Sequence, residues 1–207
     1  MPRFEAELLQ NLTEVFRWYE LQLLLLNEED RRLPQLLSSG LIPERYRDES
    51  LDELRSNFAL ARKHLRYAAM LHLLTTAEAL LRLAFDDLSK RQTKPRIFRR
   101  FRKIERERGE KIRLEEDILN TLIEVYPTTA RPIQEFKGVV PLRDWLAHGR
   151  YWNPKLGRPT YEVGDVFDIT SEMFDSMEDA RLIECQQDDD FTPGKRHKQS
   201  KSLSRSP

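Results

Sequence analysis

Arg143, Asp144 and His148 have the residue types and the spacing best suited to chemistry, and they lie within six consecutive positions. On a helix, Asp144 and His148 are four residues apart and share a face, so the carboxylate can fix the imidazole tautomer for proton transfer near neutral pH. Arg143 lies about 140° around an ideal helix from His148. Those two side chains therefore converge only if the arginine curls back or the helix unwinds near Gly149, a residue that suits a helix end.

An arginine and a histidine form a minimal set for cleaving RNA without a metal ion. The ribose 2′-OH needs a base, the leaving 5′-oxygen needs an acid, and a guanidinium can hold the charged transition state with two hydrogen bonds. One histidine does not easily serve as base and acid in one step, whereas a symmetric dimer would bring two copies to one cleft. The need for a 2′-OH predicts RNA rather than DNA as the substrate.

The elements that would position these residues are predicted to be helices. Apolar residues at three- and four-residue steps predict an N-terminal helix over 3–28 that fades before Pro34, followed by an irregular stretch over 31–49. Ser50 and Glu53 have the spacing of a capping box, which predicts a long central helix to about Ser89. Further helices are expected near 97–107, over 114–126 and over 163–177.

The motif belongs to a helix that runs toward His148. Pro132 suits its first turn, and Pro141, which lacks a backbone N–H, predicts a kink or a restart. The segment over 151–160 is rich in proline and glycine and predicts a loop.

The fold class is predicted to be all-α, a bundle of five or six helices within one domain over 1–185, with the core bundle over about 50–185. Apolar residues become scarce from Gln186 onward, so a disordered polar tail is expected over 186–207.

The composition limits the classes of partner. The formal net charge is zero, so attraction to a nucleic acid must come from local patches. Cys185 is the only cysteine, and no Cys/His cluster suggests a zinc site, so no metal or cofactor is predicted. The apolar run over 21–26 is far shorter than a membrane span, and the first residues show no export signal. We therefore expect a soluble cytoplasmic protein without a membrane partner.

Residues 142–152, with the string L-R-D-W-L-A-H-G-R-Y-W, resemble the R-x4-6-H signature of the HEPN superfamily, in particular proteins of prokaryotic defence and toxin–antitoxin loci. The resemblance implies a HEPN-like helical bundle that dimerises through the motif helix. It implies a metal-independent endoribonuclease, held in check by an antitoxin or inhibitor protein. By position, Arg143 and His148 would be catalytic, and Asp144 would be the polar accessory residue.

Other interpretations of these residues stay open. The motif could belong to a non-catalytic HEPN module that binds a nucleotide, RNA or a protein, or it could be a surface salt bridge near a helix end. Arg150, Lys155 and Arg158 are candidates for RNA phosphate contacts or are solvated loop charges. The segment over 90–113 has twelve Lys or Arg residues against three Glu residues, which indicates an electrostatic track for RNA or a solvated helix face.

Overall fold

The computed structural model describes residues 11–40, 43–91, 95–150 and 152–180, and the regular elements in these ranges are all helical. The predicted all-α fold is therefore confirmed. The predicted tail over 186–207 lies outside the described residues. The described residues form six α-helices in chain order: α1 (Leu12–Ser39), α2 (Leu51–Lys90), α3 (Arg96–Arg108), α4 (Asn120–Val125), α5 (Ala130–Ala147) and α6 (Val163–Asp179).

Helix α2 is the central element, and it contacts α1, α3, α5 and α6. It begins at the predicted capping box: the Glu53 N–H donates to Ser50 Oγ (3.3 Å), and the Ser50 N–H donates to Glu53 Oε2 (2.7 Å). Its buried apolar side chains run along most of its 40 residues and include Leu54, Phe58, Ala69, Met70, Leu73, Leu74, Ala77, Leu81, Phe85 and Leu88. The central position predicted for this helix is confirmed.

Helix α2 is also the one described helix whose length and apolar composition would suffice to cross a membrane. Of the most apolar stretch of 18 residues in this helix, 44% is buried inside the bundle. Core helices of soluble proteins share this length and composition, so the finding is weak evidence for a membrane span.

The end predicted for the first helix is wrong, because α1 continues through Pro34 to Ser39 and ends at Gly40. Its predicted beginning, at residues 3–10, lies outside the described residues. Leu33 is fully buried with Leu54 and Phe58 of α2 in a small second apolar cluster. Packing against α2 thus retains the helical turn around an exposed proline, although the proline removes one helix hydrogen bond.

Helix α5 contains the two prolines that were expected in the motif helix, Pro132 and Pro141. Pro132 is its third residue, which confirms the prediction for the first turn. The helix continues through Pro141, so the restart predicted there is absent. The neighbours of this proline, Val140 and Leu142, are both buried, and their packing holds the turn in helical conformation.

The segment predicted as a helix over 114–126 is helical, but it has two parts. A π-helical stretch over Leu114–Leu119 leads into the short α4, which ends at Val125 before Pro127. The carboxylate of Asp117, which is buried, accepts from the backbone N–H of Arg113 (2.8 Å) and pairs with Arg108 Nε (3.0 Å). These bonds fasten the end of α3 to the stretch that precedes α4.

Candidate functional site

The carboxyl end of α5 places the motif at the surface. The Arg150 N–H donates to the Trp145 carbonyl (3.0 Å), and the His148 N–H donates to the Asp144 carbonyl (3.0 Å). Gly149 has a φ of 86°, a left-handed conformation that glycine adopts without steric cost. The six-residue bond over a left-handed glycine is a Schellman ending, which confirms that Gly149 ends the helix. His148 is therefore the last residue before the chain turns away.

His148 is exposed, and its ring lies beside that of Trp152, with 6.4 Å between the ring centroids. In the described part of the chain, its side chain forms no hydrogen bond with Asp144. The bond that the shared helix face allows between Asp144 and His148 is thus not formed, and Asp144 Oδ1 instead accepts from Arg143. An exposed imidazole without a hydrogen-bond partner is open to a ligand from solvent.

Arg143 points toward α2 and is held by two carboxylates. Its Nη1 forms an ion pair with Glu78 Oε2, and its Nε and Nη2 donate to Asp144 Oδ1 (3.0 and 2.7 Å). Glu78 also pairs with Arg82 Nη2 (2.7 Å), one turn further along α2. The side chains of Arg143 and Glu78 are 22% and 19% exposed, so the pair is largely shielded from solvent. Two arginines and two carboxylates balance one another, and the cluster carries no excess charge.

The chain after His148 is fastened to α5 and α2 by aromatic residues. Trp145 Nε1 donates to the Trp152 carbonyl (2.6 Å). The Tyr67 ring of α2 meets Trp145 edge-on, with 5.9 Å between centroids, and the Arg150 guanidinium lies 5.0 Å from the Tyr67 ring centroid. Arg150 has a φ of 62°, which is uncommon for a residue other than glycine. Its contact with Tyr67 compensates part of that cost.

The predicted loop after the motif docks on α5 through two glycines. The Gly157 N–H donates to the Gly138 carbonyl (2.9 Å), and a Cβ at Gly157 would lie 3.0 Å from Gly138 Cα and 3.1 Å from Tyr161 Oη. Arg158 reinforces the contact by ion pairs with Glu135 of α5 (3.6 Å) and Asp165 of α6 (4.0 Å). Burial raises the pKa of Tyr161, while Arg158 beside it acts in the opposite direction.

We expect Gly157→Ala to destabilise the protein by about 1–3 kcal/mol, because helix backbone on one side leaves the added methyl no room. The measurement is the free energy of unfolding from urea titration. Gly164→Ala is the matched control, since a Cβ at Gly164 of α6 meets nothing within 4 Å. That control should be neutral or slightly stabilising. Equal stability of the two variants would contradict the close approach of Gly157 to Gly138.

The three residues predicted to contact RNA have different surroundings. Arg150 is exposed and lies over Tyr67, and Lys155 is exposed with no ion pair in the described ranges. Arg158, by contrast, is engaged by two carboxylates that fix the loop. The structure thus leaves Arg150 and Lys155 exposed and gives Arg158 a structural contact.

Sequence reasoning missed the part of the site that α2 supplies, namely Glu78, Arg82 and Tyr67. One signal was present: between Tyr67 and Phe85, Glu78 and Arg82 are the only Asp, Glu, Lys or Arg residues in an otherwise apolar stretch. Charged residues rarely lie on a buried helix unless they are paired. The partner of Glu78 lies 65 positions away along the chain, and only the packing of α2 on α5 identifies it.

Comparison of the chain with models of protein families, with curated proteins and with solved structures found no match. The resemblance of residues 142–152 to HEPN proteins therefore stays a prediction from the motif.

Proposed function

We propose that this protein is a metal-independent endoribonuclease of the HEPN type, a toxin or defence component that cleaves RNA through attack by the 2′-OH. The observation that carries the proposal is the exposed His148 at the Gly149-terminated end of α5, one turn beyond the half-buried Arg143. This arrangement offers a proton-transfer group to solvent, and five positions before it in the chain is a guanidinium that the fold holds in place. Both are groups that phosphodiester cleavage needs.

The proposed roles follow from the contacts of each side chain. His148 transfers protons, since its imidazole is exposed and makes no hydrogen bond among the described residues. Arg143 stabilises the charge on the phosphate, and Asp144 acts as its positioning residue through the two hydrogen bonds that it accepts. Fixing the guanidinium before the substrate arrives reduces the reorganisation that the transition state requires.

The proposal includes a homodimer through the motif helix. In the described part of one chain, the side chains of Arg143 and His148 form no hydrogen bond with each other, and one imidazole must serve as both acid and base. A second copy around a two-fold axis would supply another histidine to the same cleft. The proposal also includes an inhibitor protein, which a toxin needs. It includes a cytoplasmic location, where the protein would meet RNA.

The second candidate is a non-catalytic HEPN module that binds a nucleotide, RNA or a protein. It is favoured by one observation: Glu78 and Asp144 already neutralise Arg143. A guanidinium that links α5 to α2 can be a structural contact alone. This candidate predicts binding that Arg143→Ala weakens and no cleavage of RNA.

The deciding experiment incubates the purified full-length protein with labelled RNAs in the presence of EDTA. We expect cleavage, with products that end in a 2′,3′-cyclic phosphate, because attack by the adjacent 2′-OH forms this ring. RNAs that carry 2′-O-methyl groups should stay intact. If a varied panel of unmodified RNAs also stays intact, the non-catalytic module is the better interpretation.

A further inference from the structure

Helix α3 divides into an apolar face and a basic face. Ile97, Phe98 and Phe101 are buried in the main core, and Ile104 packs against it. The opposite face has four basic residues at helical steps of three or four: Arg96, Arg99, Lys103 and Arg106, all of them exposed. The basic row extends about 15 Å along the helix.

The basic face forms one wall of an open groove of about 900 Å³ between α3 and the end of α2. Five cations and two glutamates are among the residues that line it, and the cations are Lys90, Arg99, Arg102, Lys103 and Arg106. The groove therefore has an excess of positive charge in a chain whose formal net charge is zero. Concave surfaces lined by one sign of charge concentrate ligands of the opposite sign.

The arginines of α3 differ in whether they form ion pairs. Arg100 pairs with Glu124 (3.4 Å) and Arg108 pairs with the buried Asp117 (3.0 Å), so these two fasten α3 to the following segment. Arg99 and Arg106, in contrast, form no ion pair with any described residue. On the groove side, Lys103 pairs with Glu107 (3.7 Å) and Lys90 pairs with Asp86, so Arg99 and Arg106 are among the cations of the groove that lack an ion pair with the described residues.

The segment after α3 is connected to the motif by a chain of contacts. The segment that follows α3 reaches Ile112, whose carbonyl accepts from Arg82 Nη1 (3.3 Å). Arg82 pairs with Glu78, and Glu78 pairs with Arg143. One turn of α2, from Glu78 to Arg82, thus connects the motif with the segment that follows α3.

We propose that this groove binds the sugar–phosphate backbone of single-stranded RNA outside the motif site. A ligand that meets the whole row must carry several negative charges spread over about 15 Å, as a phosphodiester chain does. An anionic membrane fits less well, because the apolar face of α3, which would enter the lipid, is buried in the core. The inference rests on the proposed function for its choice of RNA, but binding and cleavage are measured separately.

The test measures binding of a fluorescent 2′-O-methyl RNA, which resists 2′-OH attack, by the full-length protein at several salt concentrations. Arg99→Ala/Arg106→Ala should weaken binding at least about tenfold at 0.1 M salt. It should also lower the salt slope by about 1.4, since each phosphate contact to a single strand contributes about 0.7.

Arg32→Ala/Arg55→Ala is the matched control. Both arginines are exposed and have no ion pair within the described ranges, and Arg55 lies about 50 Å along α2 from Lys90. This control should bind RNA like the wild type. The inference is overturned if both double variants bind alike, or if the wild type binds phosphatidylserine vesicles and not RNA. Intact binding without cleavage of unmodified RNA would contradict the proposed function alone.

Discussion

His148→Ala is expected to lower the rate of RNA cleavage by ~10²–10⁴-fold, the range typical of a lost general acid or base. His148 is exposed at the end of α5, and it is the only histidine within the sequence of residues 142–152. Its removal should change the free energy of unfolding by no more than about 0.5 kcal/mol, as for other exposed side chains. Loss of activity would then reflect chemistry rather than unfolding. The measurement is the single-turnover cleavage rate of a labelled RNA.

His64→Ala is the control for this prediction. His64 is also exposed, on the N-terminal half of α2, and its side chain forms no hydrogen bond, ion pair or ring contact with another described residue. It should cleave RNA at the wild-type rate. Activity retained by His148→Ala would remove His148 from the mechanism, even if the protein is a nuclease.

Arg143→Ala is expected to lower the cleavage rate by ~10²–10³-fold, comparable with the loss of a charge-stabilising donor in other enzymes. Arg143→Lys should recover little of that rate, because an ammonium cannot reproduce the planar, two-pronged contact of a guanidinium with a phosphate. Arg143→Ala also loses the ion pair to Glu78, whereas Arg143→Lys keeps a cation that can pair with it. The free energy of unfolding of Arg143→Ala should fall by about 1–3 kcal/mol, since Glu78 is only 19% exposed.

Glu78→Gln separates catalysis from structure at this position. It removes the same ion pair but keeps the guanidinium, which Asp144 still binds. If Arg143 acts on the phosphate, Glu78→Gln should lose stability to a similar extent while it retains most of the cleavage rate. Equal loss of activity in Glu78→Gln and Arg143→Ala, after correction for the folded fraction, would assign Arg143 a structural role only.

The residue types predicted the helix ends well where these depend on bonds between residues that are close in sequence. The Ser50–Glu53 capping box and the Gly149 helix end each depend on bonds between residues at most five positions apart. Such bonds form largely independently of the rest of the chain, so the residue types suffice to predict them. The end of α1 was not predicted, because its extension past Pro34 depends on the packing of Leu33 against a helix further along the chain.

The sequence by itself determined the all-helical class and the position of the motif at the end of α5. It did not determine what Arg143 contacts. The expected partners lay within the motif, but the structure adds Glu78 of α2 and leaves His148 without a hydrogen bond among the described residues. The physical reason is that helical periodicity assigns a side chain to a face, whereas its partner depends on which helix packs against that face.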